Sequence, residues 1–221
     1  MPAKTPAKTP AKTPAKTPAK ALTLTEQARR AQLIGVTVDL IARHHYSGTS
    51  LARIAEAAGI SKAAVLYHFP SKDAVVRAAY DSVIEALTGH IGAAIGTRTG
   101  AAALEAYIRS LVGHLRDHPA HTRMIVEAIS EDAEVEDTPH APGRQASVAA
   151  LIAAGRDAGD YRRDVDPAVT AVIVNGALDG IVSENLADPA FDTAAAAENL
   201  IDLLRRSLRP SPPGEDTSPV A

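Results

Sequence analysis

A lysine followed by two alanines, Lys62-Ala63-Ala64, is succeeded by Tyr67 and His68 within two helical turns. Lysine reaches a base edge or a phosphate. The two small side chains let a helix lie deep in a major groove against thymine methyls, and a phenol and an imidazole at the far end bond phosphates or bases. Upstream, Thr49 and Ser50 stand where the first amides of a helix would meet a phosphate. Arg53 and Lys72 add cationic reach, and Ser61 introduces the lysine. The chemistry these residues suit is contact with duplex DNA. No catalytic arrangement competes: there is no Cys to act as nucleophile. No Ser/His/Asp set, paired carboxylates in context or phosphate-binding loop stands out either. No enzyme activity and no cofactor are expected.

Spacing predicts the elements that must carry these groups. Thr23 with Glu26 three residues on is a capping box, and Ala28, Ala31, Ile34, Val38 and Ile41 recur as one helical face. The pattern breaks at His44-His45-Tyr46-Ser47-Gly48. Two short helices follow, over 51–58 and 62–68, the first capped by Thr49 or Ser50 and the second by Ser61. Gly59 supplies the left-handed backbone of the turn between them. Leu51, Ile54, Ala55 and Ala58 face Ile60 and Val65, and the small alanines let the pair cross closely. This is the anatomy of a helix-turn-helix. A long helix follows Pro70-Ser71, with Val76, Ala79, Val83, Leu87 and Ile91 as its stripe. Further stripes lie at Leu104 to Leu115, Met124 to Ile129 and Val148 to Ala154. Asp166-Pro167 and Asp192 open the last two helices. The expected fold is all-α, with about nine helices in all, three of them in the DNA-binding head and about six in the body.

From Thr49 to Lys62, with the helix before it and Tyr67-His-Phe-Pro-Ser-Lys-Asp73 after it, the chain resembles the tetracycline-repressor (TetR) family of bacterial regulators over residues 24–73. One position departs from the family pattern. Five residues after the serine that opens the recognition helix the family usually has Tyr, whereas here Leu66 stands there and Tyr67 follows. The resemblance implies a homodimer joined through helices 167–186 and 192–208 as a four-helix bundle, where Gly176 and Gly180 permit close approach. It also implies a small-molecule effector whose binding changes the spacing of two DNA-reading heads. The function it implies is a transcriptional regulator, a repressor on a near-palindromic operator, located in the cytoplasm at the nucleoid.

Several other features carry a sharp and a bland reading. His114, His118 and His121 have near-helical spacing for metal ligands, but Pro119 is expected to start a new helix and spoil the shared face. No metal site is therefore expected. Gly89, Gly92 and Gly96 lack the preceding strand of a nucleotide loop. The acidic run from Glu127 to Asp137 reads as a solvated surface or a mobile loop rather than a cation-sensing patch. Asn175 and Asp179 lie one turn apart in an apolar helix and meet a ligand, a dimer partner or a neighbouring helix end. Tyr80, Tyr107, His114, Met124 and Tyr161 are the larger adaptable side chains of the body and candidate pocket walls.

Composition frames all this. The chain has 221 residues and only 3% aromatics, so its core is built from Ala, Leu, Val and Ile. Its net charge is −3, yet residues 1–72 carry 11 Lys and Arg against 3 Asp and Glu, while residues 73–221 carry 12 against 23. The basic end is the end that would meet DNA. Residues 1–21 form a Pro-Ala-Lys-Thr repeat arm without apolar side chains larger than Ala after Met1, expected to be a disordered extension. Its five lysines are either bystanders or contacts to DNA beyond the operator. The expected organisation is this arm, a DNA-binding domain over 22–70, a regulatory and dimerisation domain over 71–209, and a polar tail over 210–221. No stretch suits a membrane span. The competing function is a nucleoid-associated architectural protein with little sequence preference. A small-molecule hydrolase is a third class, and it lacks a site.

Overall fold

Helix starts in this chain are written in serine, threonine and aspartate. In the computed structural model, which describes residues 22–130 and 140–210, Thr23 and Glu26 form the capping box of α1 (Leu24–His44). Ser50, Ser61 and Ser71 accept amide hydrogen bonds at the starts of α2 (Leu51–Ala57), α3 (Lys62–His68) and α4 (Lys72–Ile95). Asp166 and Asp192 do the same for α8 (Pro167–Ala187) and α9 (Thr193–Leu208). Between them lie α5 (Gly100–Asp117), α6 (Pro119–Ser130) and α7 (His140–Asp157). All nine elements among the described residues are helices.

Helix α5 is capped from a distance. Thr99 makes no side-chain bond to it. Instead the Asp160 carboxylate accepts the Ala101 amide at 2.9 Å. Gly100 has φ +56°, and a Cβ there would sit 2.1 Å from that carboxylate. Only glycine accommodates both the backbone and the approach.

Three apolar clusters stack along the molecule. The first joins α1, α2, α3 and the start of α4 around Leu33, Ile54, Val65, Phe69 and Val75. The second is a seam in which Val38 and Ile41 of α1 meet Ala79, Tyr80 and Val83 of α4 and Met124 of α6. The third and largest fills α5, α7, α8 and α9 around Leu104, Ile108, Val148, Ile152, Leu178 and Ile201. The stripe of α4 differs slightly from expectation: Val75 and Tyr80 are fully turned inward, while Val76 and Ile91 are half-buried. Tyr80 and Met124 lie in the seam between head and body. The repeat arm, most of the acidic run and the tail from Ser211 onward lie outside the described residues.

Candidate nucleic-acid interface

Helix α1 holds the helix pair by its ends. Gln32 donates to the last-turn carbonyl of Ala58 at 3.4 Å. Arg30 donates to the carbonyl of His68 and lies 4.0 Å over the Phe69 ring. A cation at the C-terminus of α3 suits the helix dipole there. Between the pair, Gly59 has φ +66° and Ile60 donates to Ala55 at 3.0 Å, a left-handed helix stop. Val65, fully buried, pins the inner face of α3. That leaves Ser61, Lys62, Ala63, Leu66 and Tyr67 exposed on its outer side, with Ala64 and His68 half-buried at the edges. Leu66, 41% exposed, is the outward residue that sequence reasoning did not assign. Its place one turn after Lys62 was the available signal, and its methyls suit thymine methyls.

Each flanking group has a partner within the head. Ser50 caps α2, and Arg53 reaches back to the Gly48 carbonyl at 2.6 Å while staying exposed. Thr49 differs from expectation. It is buried, its hydroxyl donates to the His45 carbonyl at 3.0 Å and its amide to Tyr46 at 3.1 Å, so its side chain braces the corner that presents Ser50. Lys72 donates to the Tyr46 carbonyl at 2.7 Å and sits 3.5 Å above the Tyr46 ring, so its ammonium is held inside the head. The Tyr67 hydroxyl donates to Glu26 at 3.0 Å. That bond raises the phenol pKa, and the Thr23 backbone and side-chain bonds, with Tyr67, lower that of Glu26. A phosphate takes the Tyr67 hydroxyl only by replacing Glu26.

The head is bolted to the body through α6. Arg123 donates to the Ala42 carbonyl at 3.1 Å. Glu127 meets His45 Nδ1 at 2.6 Å and accepts the Tyr46 amide at 3.1 Å. Burial raises the Glu127 pKa, but these bonds outweigh it and the net shift is downward. Glu127 therefore belongs to the joint, not to a merely solvated run.

In the body, the polar candidates fall into separate places. Tyr107 and Asp179 meet through Arg144 of α7, which donates to Asp179 at 2.7 Å and to the Tyr107 hydroxyl at 3.4 Å. Arg144 was missed in the sequence, although it lies four residues before buried Val148 on the same stripe. Asn175 is half-buried with its Oδ1 unpartnered. Tyr161 lines a water-sized cavity of about 20 Å³ with Leu104, Ile108 and Ile201. Burial pushes its phenol up to about 12. His114 is buried among His90, His118 and His121. Pro119 does not spoil the shared face. Helix α6 begins directly after His118 and folds back, so His121, in its first turn, lies against His114.

Helix α8 leaves Val169, Val172 and Ile173 more than half exposed, and nothing lies within 4 Å of a Cβ built at Gly176 or Gly180. These positions follow one another at helical spacing on one face. No helix among the described residues is long and apolar enough to cross a membrane.

Residues 33–79 match the family model of bacterial regulatory proteins, tetR family. Over 97 residues the chain is 31% identical to the HTH-type transcriptional regulator RutR of Escherichia coli (strain K12). That match spans 44% of this chain and 46% of RutR, about half the length of the curated relative. A structure solved in work on control of antibiotic production by bacterial hormones superposes with a TM-score of 0.69 and 28% identity, covering 82% of this chain and 98% of its own. The regulator FadR from Bacillus subtilis, solved in complex with stearoyl-CoA, gives 0.71 at 17% identity, covering 81% and 99%, and shares the fold. The helix pair lies inside the family's matched span and the body's helices superpose on solved regulators, so the helix-turn-helix segment of this chain matches the TetR family of bacterial regulatory proteins.

Proposed function

We propose that the protein is a ligand-responsive transcriptional repressor that binds a near-palindromic operator as a homodimer. The observation that carries this reading is α3: capped by Ser61 and pinned by Val65, it turns Lys62, Ala63, Leu66 and Tyr67 outward together. Two copies joined through the open apolar face of α8, with α9, place two such helices in successive major grooves. A small molecule that favours a different spacing of the heads releases the DNA by its differential affinity for the two states. The bolt between α6 and the end of α1 supports that coupling, because the body holds the head through Arg123 and Glu127. The operator partner, the dimer, the effector and a cytoplasmic, nucleoid-associated location all belong to this reading.

Footprinting on DNA flanking the protein's own gene, repeated with candidate effectors, tests it. A protected near-palindrome that an effector clears is the expected result; uniform protection supports the architectural reading instead. In the same assay Lys62→Ala weakens operator binding without lowering thermal stability, and unchanged binding removes Lys62 from the interface. Deleting residues 2–20 flattens the salt dependence by up to about 0.9 per lysine engaged while leaving site preference intact. An unchanged slope makes the arm a bystander.

A further inference from the structure

Four imidazoles from three helices meet at the junction of α4, α5 and α6. The ring centroids of His90 and His114 are 5.2 Å apart, those of His114 and His121 5.4 Å, and those of His118 and His121 5.0 Å. His114 and His118 stack at 4.2 Å. Two imidazoles bound to one tetrahedral ion, with metal–nitrogen bonds of about 2.0–2.1 Å, have centroids about 5 Å apart and donor nitrogens about 3.3 Å apart. Three of the four spacings are of that size, and His114 Nε2 lies 3.2 Å from His121 Nδ1.

Two further observations separate this cluster from an ordinary stack of rings. His114 is 5% exposed and its Nε2 shares a hydrogen bond with His121 Nδ1, so the two rings already face each other through nitrogens able to ligate. His118 donates from Nδ1 to the His114 carbonyl at 2.9 Å, which fixes its tautomer and leaves Nε2 with a free lone pair. Metal-binding histidines characteristically donate their second nitrogen in this way. Asp117, whose charge acts on His114, is exposed and bonded to Arg116 at 2.8 Å.

We propose that His114 and His121, completed by His118 and His90, form a binding site for a divalent transition cation of the zinc type. A nitrogen-only donor set selects Zn²⁺, Co²⁺, Ni²⁺ or Cu²⁺ over Mg²⁺ and Ca²⁺. Among the described residues no three His, Asp or Glu donors yet surround one point at ligand distance. The facing His114 and His121 nitrogens form the fixed pair, and rotation of the exposed His90 side chain, with a shift of His118 that keeps its bond to the His114 carbonyl, closes the set. His121 lies on the same helix as Arg123 and Glu127, which hold the end of α1. Drawing His121 onto an ion therefore acts on the helix that positions the head. That regulatory consequence rests on the proposed function, whereas ion binding itself does not.

The test uses the full chain, freed of any histidine tag, titrated with Co²⁺ and then Zn²⁺. The expected result is a visible d–d band of tetrahedral Co²⁺ at one ion per chain, displaced by Zn²⁺. Affinity falls at least tenfold in His114→Gln and His121→Gln and is unchanged in His44→Gln. The rim variant His90→Gln/His118→Gln leaves the buried ring in place, guards against a folding defect and also weakens binding at least tenfold. Absence of the band, or equal Zn²⁺ affinity in wild type and all cluster variants, overturns the site. A bound ion that leaves operator affinity unchanged keeps the site and overturns the coupling. A bound ion on a protein that binds no operator keeps the site and refutes the proposed function.

Discussion

Replacing Thr49 by valine separates bracing from DNA contact at the corner of the head. Thr49 is 3% exposed, and its hydroxyl donates to the His45 carbonyl at 3.0 Å. Valine keeps the shape and the amide bond to Tyr46 and removes one hydroxyl bond. Such a bond contributes about 1 kcal/mol net. His45 is exposed, so its carbonyl regains water, and the cost falls in the lower half of the range, about 0.5–1 kcal/mol. For a chain of this length 1 kcal/mol moves Tm by about 2–4 °C, so a fall of about 1–4 °C is expected. A lost phosphate contact would act differently, reducing the slope of log affinity against log salt by about 0.9. Thermal melts paired with fluorescence anisotropy over a KCl series read both quantities. The structure predicts a lowered Tm and an unchanged slope. A slope reduced by about 0.9 with Tm unmoved would refute the bracing role.

Other outcomes follow from the same contacts. Leu33→Ala opens a cavity in the fully buried centre of the head and is expected to cost about 2–5 kcal/mol in urea unfolding. Glu127→Ala removes the bonds to His45 and Tyr46, so amide exchange over residues 45–49 quickens while that of α8 and α9 does not change. The hydrogen bonds from Arg205 hold the Glu105 carboxyl below its ordinary 4.5. Because the folded pKa is depressed, this contribution is present above about pH 4.5 and is lost as pH falls through the folded value. Arg205→Gln therefore flattens the acid limb of the stability profile measured by urea unfolding.

Much of this fold could be read along the chain because its signals are local. Thr23, Ser61, Asp166 and Asp192 cap the helices that their types and followers announce, and Gly59 makes its turn with φ +66°. What escaped depends on partners far away in sequence. Glu127 looked like one carboxylate of an acidic run, and its role comes from His45, 82 residues distant. The start of α5 is satisfied by Asp160, 59 residues on, which no pattern around Thr99 reveals. Thr49 and Lys72 are of the types that meet phosphates, yet the folded corner engages both with carbonyls of its own. The histidines were visible as a spacing, but whether Pro119 separated or gathered them depended on the direction in which α6 leaves α5. Arg144 was hidden by its charge, since a cation on an apolar stripe reads as solvent-facing until Asp179 and Tyr107 are seen beside it.

The central claim is that α3 reads sequence rather than merely touching DNA. The most direct measurement is the ratio of affinities for the DNA flanking the protein's own gene and for scrambled DNA of equal length, at physiological salt. A sequence-reading dimer gives a preference of about 10³ or more. Binding of the two within a few-fold would contradict the account.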